Sequence, residues 1–111
     1  MKVYLSPRVL KSVIAYIDNR LEQNISLPAL ATIAGVGPSH FKVLFRKAMG
    51  VPVHQYVIRR RVERAASLLE KPELSISQIA LEVGFSHQSH LSLHMRRVLG
   101  VSPKQLRRQL T

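Results

Sequence analysis

The chain has 111 residues, 46 % of them apolar, enough for one small domain or two very small ones but not for a large ligand cavity as well. It contains no cysteine, which excludes disulfides, thiolate zinc sites and thiol catalysis and fits a reducing cytosol. Seventeen Lys and Arg against six Asp and Glu leave a net charge of +11, which calls for a polyanionic partner, either nucleic acid or an anionic membrane surface.

The opening MKVYLSPRVL holds no apolar run of signal-peptide length, and nowhere do about 18 apolar residues run together, so a soluble chain without an export signal is expected. Ser6-Pro7 starts the first helix, with Ser as N-cap and Pro where its missing N–H is harmless. Leu10, Val13, Ile14, Ile17 and Leu21 recur at helical spacing, and Asn24 is the expected stop. Ser26 caps a second helix, LPALATIA, whose Leu27, Leu30, Ala31 and Ala34 face inward and which Gly35 ends. The turn Val36-Gly37 leads to a third helix from Pro38 to Met49, stopped by Gly50. A long helix follows from Val53 to Lys71, ended by Pro72. Ile58, Val62, Ala65, Ala66 and Leu69 share one of its faces, and Arg59, Arg60, Arg61 and Arg64 crowd much of the rest.

Ser75 and Gln78 have capping-box spacing and open a fifth helix, with Ile76, Ile79, Ala80 and Val83 inward. Gly84 permits the turn and Phe85 plugs the core beside it. The sixth helix runs from His87 to Leu99, and Gly100 stops it. Ser102-Pro103 with Gln105 caps a last short helix that carries Lys104, Arg107 and Arg108. The expectation is an all-α fold of seven helices without a strand.

The strongest signal is an internal repeat. Setting His40 on His90 matches Ser39 with Ser89, Phe41 with Leu91, Phe45 with Met95, Arg46 with Arg96, Gly50 with Gly100, Val51 with Val101 and Gln55 with Gln105. In the preceding helix the offset falls by one, Ala31 matching Ala80 and Gly35 matching Gly84, so the second turn carries an extra residue, assigned near Gln88. Each copy has the grammar of a helix-turn-helix, whose second helix can enter a DNA major groove. The expected division is a first helix-turn-helix subdomain over 1–52, a linker helix over 53–71 and a second subdomain over 72–111, each subdomain a homeodomain-like bundle.

On a helical wheel of about 100° per residue, Phe41, Leu44, Phe45 and Ala48 form the buried side of the third helix and leave Ser39, Lys42, Val43, Arg46 and Lys47 outside. In the sixth, Leu91, Met95 and Val98 are buried and Ser89, His90, Leu93, Arg96 and Arg97 are outside. Short polar residues at the helix start and cations toward its end suit base edges read first and phosphates held farther along. Arg46, Lys47, Arg96 and Arg97 are the expected phosphate contacts, and Gln55 and Gln105 add backbone contacts at their helix N-termini.

His87, His90 and His94 share one helix face, which invites a metal reading, but no Asp, Glu or Cys joins them, so neither metal nor cofactor is expected. Asp18, Glu22, Glu63, Glu70, Glu73 and Glu82 are scattered, and there is no Ser–His–acid set or Gly-rich phosphate loop, so an enzyme is not expected.

Leu30-Ala31, Gly35, Ser39-His40-Phe41, Phe45-Arg46 and Gly50 form one motif. Ile79-Ala80, Val83-Gly84-Phe85-Ser86, Ser89-His90 and Gly100-Val101-Ser102-Pro103 form the other. Together they resemble the AraC/XylS family DNA-binding domain, and QYVIRRRVERAASLLE (Gln55 to Glu70) resembles its linker helix. The resemblance covers about residues 5 to 110. It implies a bacterial, cytoplasmic transcription regulator, commonly an activator, that places two recognition helices in successive major grooves of double-stranded DNA. RNA polymerase is then an expected partner, and an effector-binding or dimerisation module on the N-terminal side is a common companion. By position, Ser39, Lys42 and Val43 match the family's base-reading residues in the first unit, and Gln88, Ser89, His90 and Leu93 those in the second. Lys42 would pair with guanine and Gln88 with adenine, while Val43 and Leu93 offer apolar contact, for example to a thymine methyl. The chain departs from the pattern at Gly37, usually Ser, at Val43 and Leu93, often Arg, and at Met95, frequently Phe. A sequence-tolerant architectural DNA- or RNA-binding protein and a basic amphipathic membrane-surface module led by 53–71 are the alternatives to a regulator.

Overall fold

A computed structural model describes residues 2–110 and, among them, seven α-helices and no strand. The helices are α1 (Pro7–Asn19), α2 (Leu27–Ala34), α3 (Pro38–Met49), α4 (Val53–Leu68), α5 (Ile76–Glu82), α6 (Gln88–Leu99) and α7 (Pro103–Leu110). The chain forms two compact units, one ending at Val57 and the other beginning at Ile58.

In the first unit the predicted caps do what their chemistry allows. Ser6 Oγ accepts from the Val9 N–H at 3.2 Å and Ser26 Oγ from the Ala29 N–H at 3.3 Å, each filling one of the orphan donors of a helix start. Val13, Ile17, Leu30, Ala31, Ala34, Phe41, Leu44 and Phe45 close the core, joined by Leu5 before the first helix and Leu21 after it. α1 stops at Asn19 rather than Asn24: Arg20 N–H turns back to the Ile17 carbonyl at 3.1 Å, and Leu21 plugs the core from this turn. The apolar spacing therefore continues one residue-pair beyond the helix that produced it. Ala48, placed inside by the wheel, is exposed, because Phe41, Leu44 and Phe45 already fill the contact arc of α3.

In the second unit Val62, Ala65, Leu69, Ile79, Ala80, Val83, Phe85, Leu91 and Met95 make the core. The capping box at α5 is complete, with the Gln78 N–H on Ser75 Oγ at 3.0 Å and the Ser75 N–H on Gln78 Oε1 at 2.8 Å. α4 ends at Leu68, short of Lys71. Pro72 pushes the residue before it away from helical backbone, and the Glu70 and Lys71 N–H groups fall back on Ser67 and Leu68. Arg107 of α7 then takes the freed carbonyls of Leu69 and Lys71 at 3.2 and 3.1 Å, a guanidinium fork on a helix C-terminus.

α4 serves both cores in succession. Val53, Tyr56 and Val57 pack into the first, Ile58, Val62 and Ala65 into the second. The sequence pattern shows only the second stripe; Ala66, assigned to it, is half-buried.

The repeat is present in backbone hydrogen bonds as well as in residue types. Val36 N–H bonds to the Ala31 carbonyl at 3.1 Å, and Phe85 N–H to the Ala80 carbonyl at 2.9 Å. Gly50 N–H reaches Arg46 at 2.8 Å, and Gly100 N–H reaches Arg96 at 2.9 Å. Gly35 and Gly84, at φ 72° and 103°, let the chain turn back at each helix-turn-helix corner, where a Cβ would be strained. From these glycines to the next N-cap the chain uses Val36 and Gly37 in one copy and Phe85, Ser86 and His87 in the other. The extra residue thus falls at Phe85-Ser86, just ahead of Gln88.

Gly37 caps α3 without a side-chain hydrogen bond, at φ −72° and ψ 160°, and a Cβ there would meet nothing within 4 Å. Gly37→Ser should therefore stabilise the first unit by about 0.5–1 kcal/mol, through a cap oxygen and a less flexible unfolded chain. A urea melt showing no gain in midpoint would count against a vacant cap.

Candidate nucleic-acid interface

α3 and α6 are the second helices of the two helix-turn-helix copies, and each buries one stripe and exposes the other. Phe41, Leu44 and Phe45 hold α3 down, and Leu91 and Met95 hold α6. Ser39, Lys42, Val43, Arg46 and Lys47 are all exposed on α3, as are Ser89, His90, Leu93, Arg96 and Arg97 on α6. Val43 is 58 % and Leu93 43 % exposed, so both apolar side chains are open to a partner. Neither helix contains an acidic residue, so its positive face meets no neutralising partner on the same helix. Arg46, Lys47, Arg96 and Arg97 stand in the last turns, where cations also suit the helix dipole.

The polar start of α6 is held in place by its neighbours. Ser77 Oγ of α5 donates to Gln88 Oε1 at 3.0 Å. His87, the N-cap of α6, has its Nδ1 2.6 Å from Ser89 Oγ, and its ring stacks on His90 with centroids 4.2 Å apart. His94 stacks in turn on Phe85 at 5.5 Å. The histidines form a ladder of rings, and no group of metal-binding side chains is found among the described residues. Ser77 is the contributor that sequence reasoning missed, and His87, weighed there only as a metal ligand, sits at the start of α6 beside Ser89. Nothing in local spacing marks Ser77, which meets Gln88 only because α5 and α6 share a core.

Two assignments change in detail. Lys47 Nζ donates to the Val3 carbonyl at 3.0 Å, so one of its three N–H donors tethers the N-terminal segment and two are left for a phosphate. Gln105 is engaged in a second capping box, its Oε1 accepting from Ser102 N–H at 2.8 Å and its own N–H donating to Ser102 Oγ at 3.1 Å. The repeat-equivalent of Ser102 is Pro52, which has no N–H to offer, so exposed Gln55 carries no such duty. Gln105→Ala should cost about 0.5–1.5 kcal/mol of second-unit stability, whereas Gln55→Ala should leave stability unchanged. Equal melting curves for the two variants would contradict this division. Finally, a groove of about 210 Å³ lined by Gln88, Ser92, Arg96, Ser102, Pro103 and Lys104 brings the cations of α6 and α7 beside the start of α7.

Among the described residues no helix is long and apolar enough to cross a membrane. A family model described as a helix-turn-helix domain matches residues 30–109. The probable transcriptional regulator LumQ of Photobacterium leiognathi is 40 % identical over 79 % of this chain, which spans 36 % of that protein's length. The transcriptional activator AarP of Providencia stuartii is 30 % identical, with 86 % of this chain and 70 % of AarP covered. The DNA-binding domain of the global transcriptional factor AdpA, solved in complex with a target DNA, superposes with a TM-score of 0.83 at 32 % identity, covering 90 % of each chain.

Proposed function

The chain belongs to the AraC-type helix-turn-helix family, whose members are regulators and not enzymes, and on that premise we propose that it activates transcription by binding specific sites on double-stranded DNA. The observation that carries this reading is the pair of exposed, acid-free faces on α3 and α6, one in each copy of the repeat. Such a pair suits recognition helices entering successive major grooves, with 53–71 as the connector between subdomains 1–52 and 72–111. Ser39, Lys42 and Val43 then read bases for the first unit, and Gln88, Ser89, His90 and Leu93 for the second. Arg46, Lys47, Arg96 and Arg97 hold phosphates, with Gln55 at the start of α4 beside them. Activation would proceed through contact with RNA polymerase in the cytoplasm, either as a free-standing small regulator or under the control of an effector-binding or dimerisation module on the N-terminal side.

Selection from random duplexes tests the reading. The expected product is a motif of two half-elements about one helical turn, roughly 34 Å, apart. Uniform affinity for every duplex would replace it with the architectural alternative.

A further inference from the structure

We propose that Ser77 is a specificity-determining positioning residue, which orients the carboxamide of Gln88 so that its NH2 group, not its carbonyl, meets the base edge. The inference rests on the reading of Gln88 as a base contact.

Gln88 is the first residue of α6 and is half-buried, and the Ser77 hydroxyl donates to its Oε1 at 3.0 Å. The α5 cap is made by Ser75 and Gln78, so the Ser77 hydroxyl is not spent on the cap. Ile79 and Ala80 of α5 share a core with Leu91 and Met95 of α6, so donor and acceptor sit on two helices that cannot slide apart. A free glutamine reads adenine with both ends of its amide, accepting from N6 and donating to N7. With Oε1 turned toward α5 and one of its lone pairs taken by Ser77, the end of the amide that faces away from α5 is its pair of N–H donors. Such an end favours edges rich in acceptors, above all guanine with O6 and N7, and disfavours the N4 donor of cytosine. The expectation of adenine at this position is thereby replaced by guanine.

The device belongs to the second unit alone. In the register of the repeat Ser77 corresponds to Pro28 and Gln88 to Pro38, neither of which can make the bond. The half-element read by the first unit is therefore a control within every experiment.

Random-duplex selection is run on the full chain, on Ser77→Ala, on Ser77→Thr and on Gln88→Ala. In the unaltered chain one base pair of the second half-element should prefer guanine over cytosine. Ser77→Ala should reduce that preference by roughly five- to tenfold, the scale of one good base contact, and leave all other positions unchanged. Ser77→Thr keeps the hydroxyl and should keep the profile, and the double variant Ser77→Ala/Gln88→Ala should match Gln88→Ala. An unchanged Ser77→Ala profile, where Gln88→Ala flattens the same position, overturns the positioning role and leaves base reading by Gln88 intact. A Gln88→Ala profile unchanged everywhere overturns both. Weakening spread evenly over both half-elements makes Ser77 merely structural and also overturns the inference. Absence of any motif in the unaltered chain is instead the failure of the regulator reading itself.

Discussion

Raising salt from about 50 to about 200 mM is expected to weaken DNA binding by roughly a thousandfold to ten-thousandfold. The argument starts from the net charge of +11 but does not end there, since solvated lysine tails could supply that number. What matters is where the cations stand. Lys42, Arg46, Arg96 and Arg97 are exposed on helices that contain no acid. Lys104 lines a groove with Arg96. Arg107, in contrast, is held by the Leu69 and Lys71 carbonyls, and Arg60 is paired with Glu63 at 2.7 Å, so neither belongs in the count. About six to eight neutralised phosphates would give a slope of log K against log salt near −5 to −7. Fluorescence anisotropy over a salt series measures it. Arg96→Ala should reduce the slope by about one and leave the selected motif intact. A nearly flat line would remove the basis for a phosphate-binding face.

Phe45→Ala is expected to unfold the first unit, or to leave it barely folded, at growth temperature. The ring is fully buried, lies 5.8 Å from Phe41 and meets Tyr56 edge-on at 5.6 Å. Truncating a buried Phe costs about 3–5 kcal/mol, and each aromatic pair adds about 0.5–1.5 kcal/mol beyond area. A unit ending at Val57 has only roughly 3–9 kcal/mol to lose at ordinary stability per residue. Val43→Ala on the same helix removes a side chain that is 58 % exposed and should change stability by no more than about 0.5 kcal/mol. The consequence for function follows from the separate cores. The Phe45→Ala protein should lose the half-element read by the first unit, while Val43→Ala should alter base preference alone. A denaturant melt in which both variants match the parent would contradict the burial of Phe45 as the anchor of α3.

Most of the architecture is legible from the chain because it is written in short-range chemistry. Ser6-Pro7, Ser26, Ser75 with Gln78, and Ser102 with Gln105 mark helix starts through side chains that serve N–H groups only a few residues away. Gly35, Gly50, Gly84 and Gly100 mark the turns by a backbone conformation that other residues rarely adopt. The outward faces of α3 and α6 follow from the 3.6-residue period, since one face of each helix must be apolar. The repeat turns these local signs into two copies of one unit.

The errors share one cause, which is competition between segments far apart in sequence. Ala48 was expected inside on spacing, but the number of side chains a helix can bury depends on what faces it. The early turns of α4 join the first core through Val53, Tyr56 and Val57, and two stripes at different angles on one helix blur each other in a single periodic pattern.

By itself, then, the sequence determined seven helices, the two-copy plan and a basic, acid-free face on each second helix, because caps, turns and amphipathic periods act over a few residues. Only the tertiary structure decided which members of those faces are committed within the protein. Lys47 on Val3 lies 44 residues from its partner, and Ser77 on Gln88 lies 11 residues away across a turn. Neither pairing has a period or a motif to announce it, because both depend on how packed helices bring distant polar groups within hydrogen-bond reach.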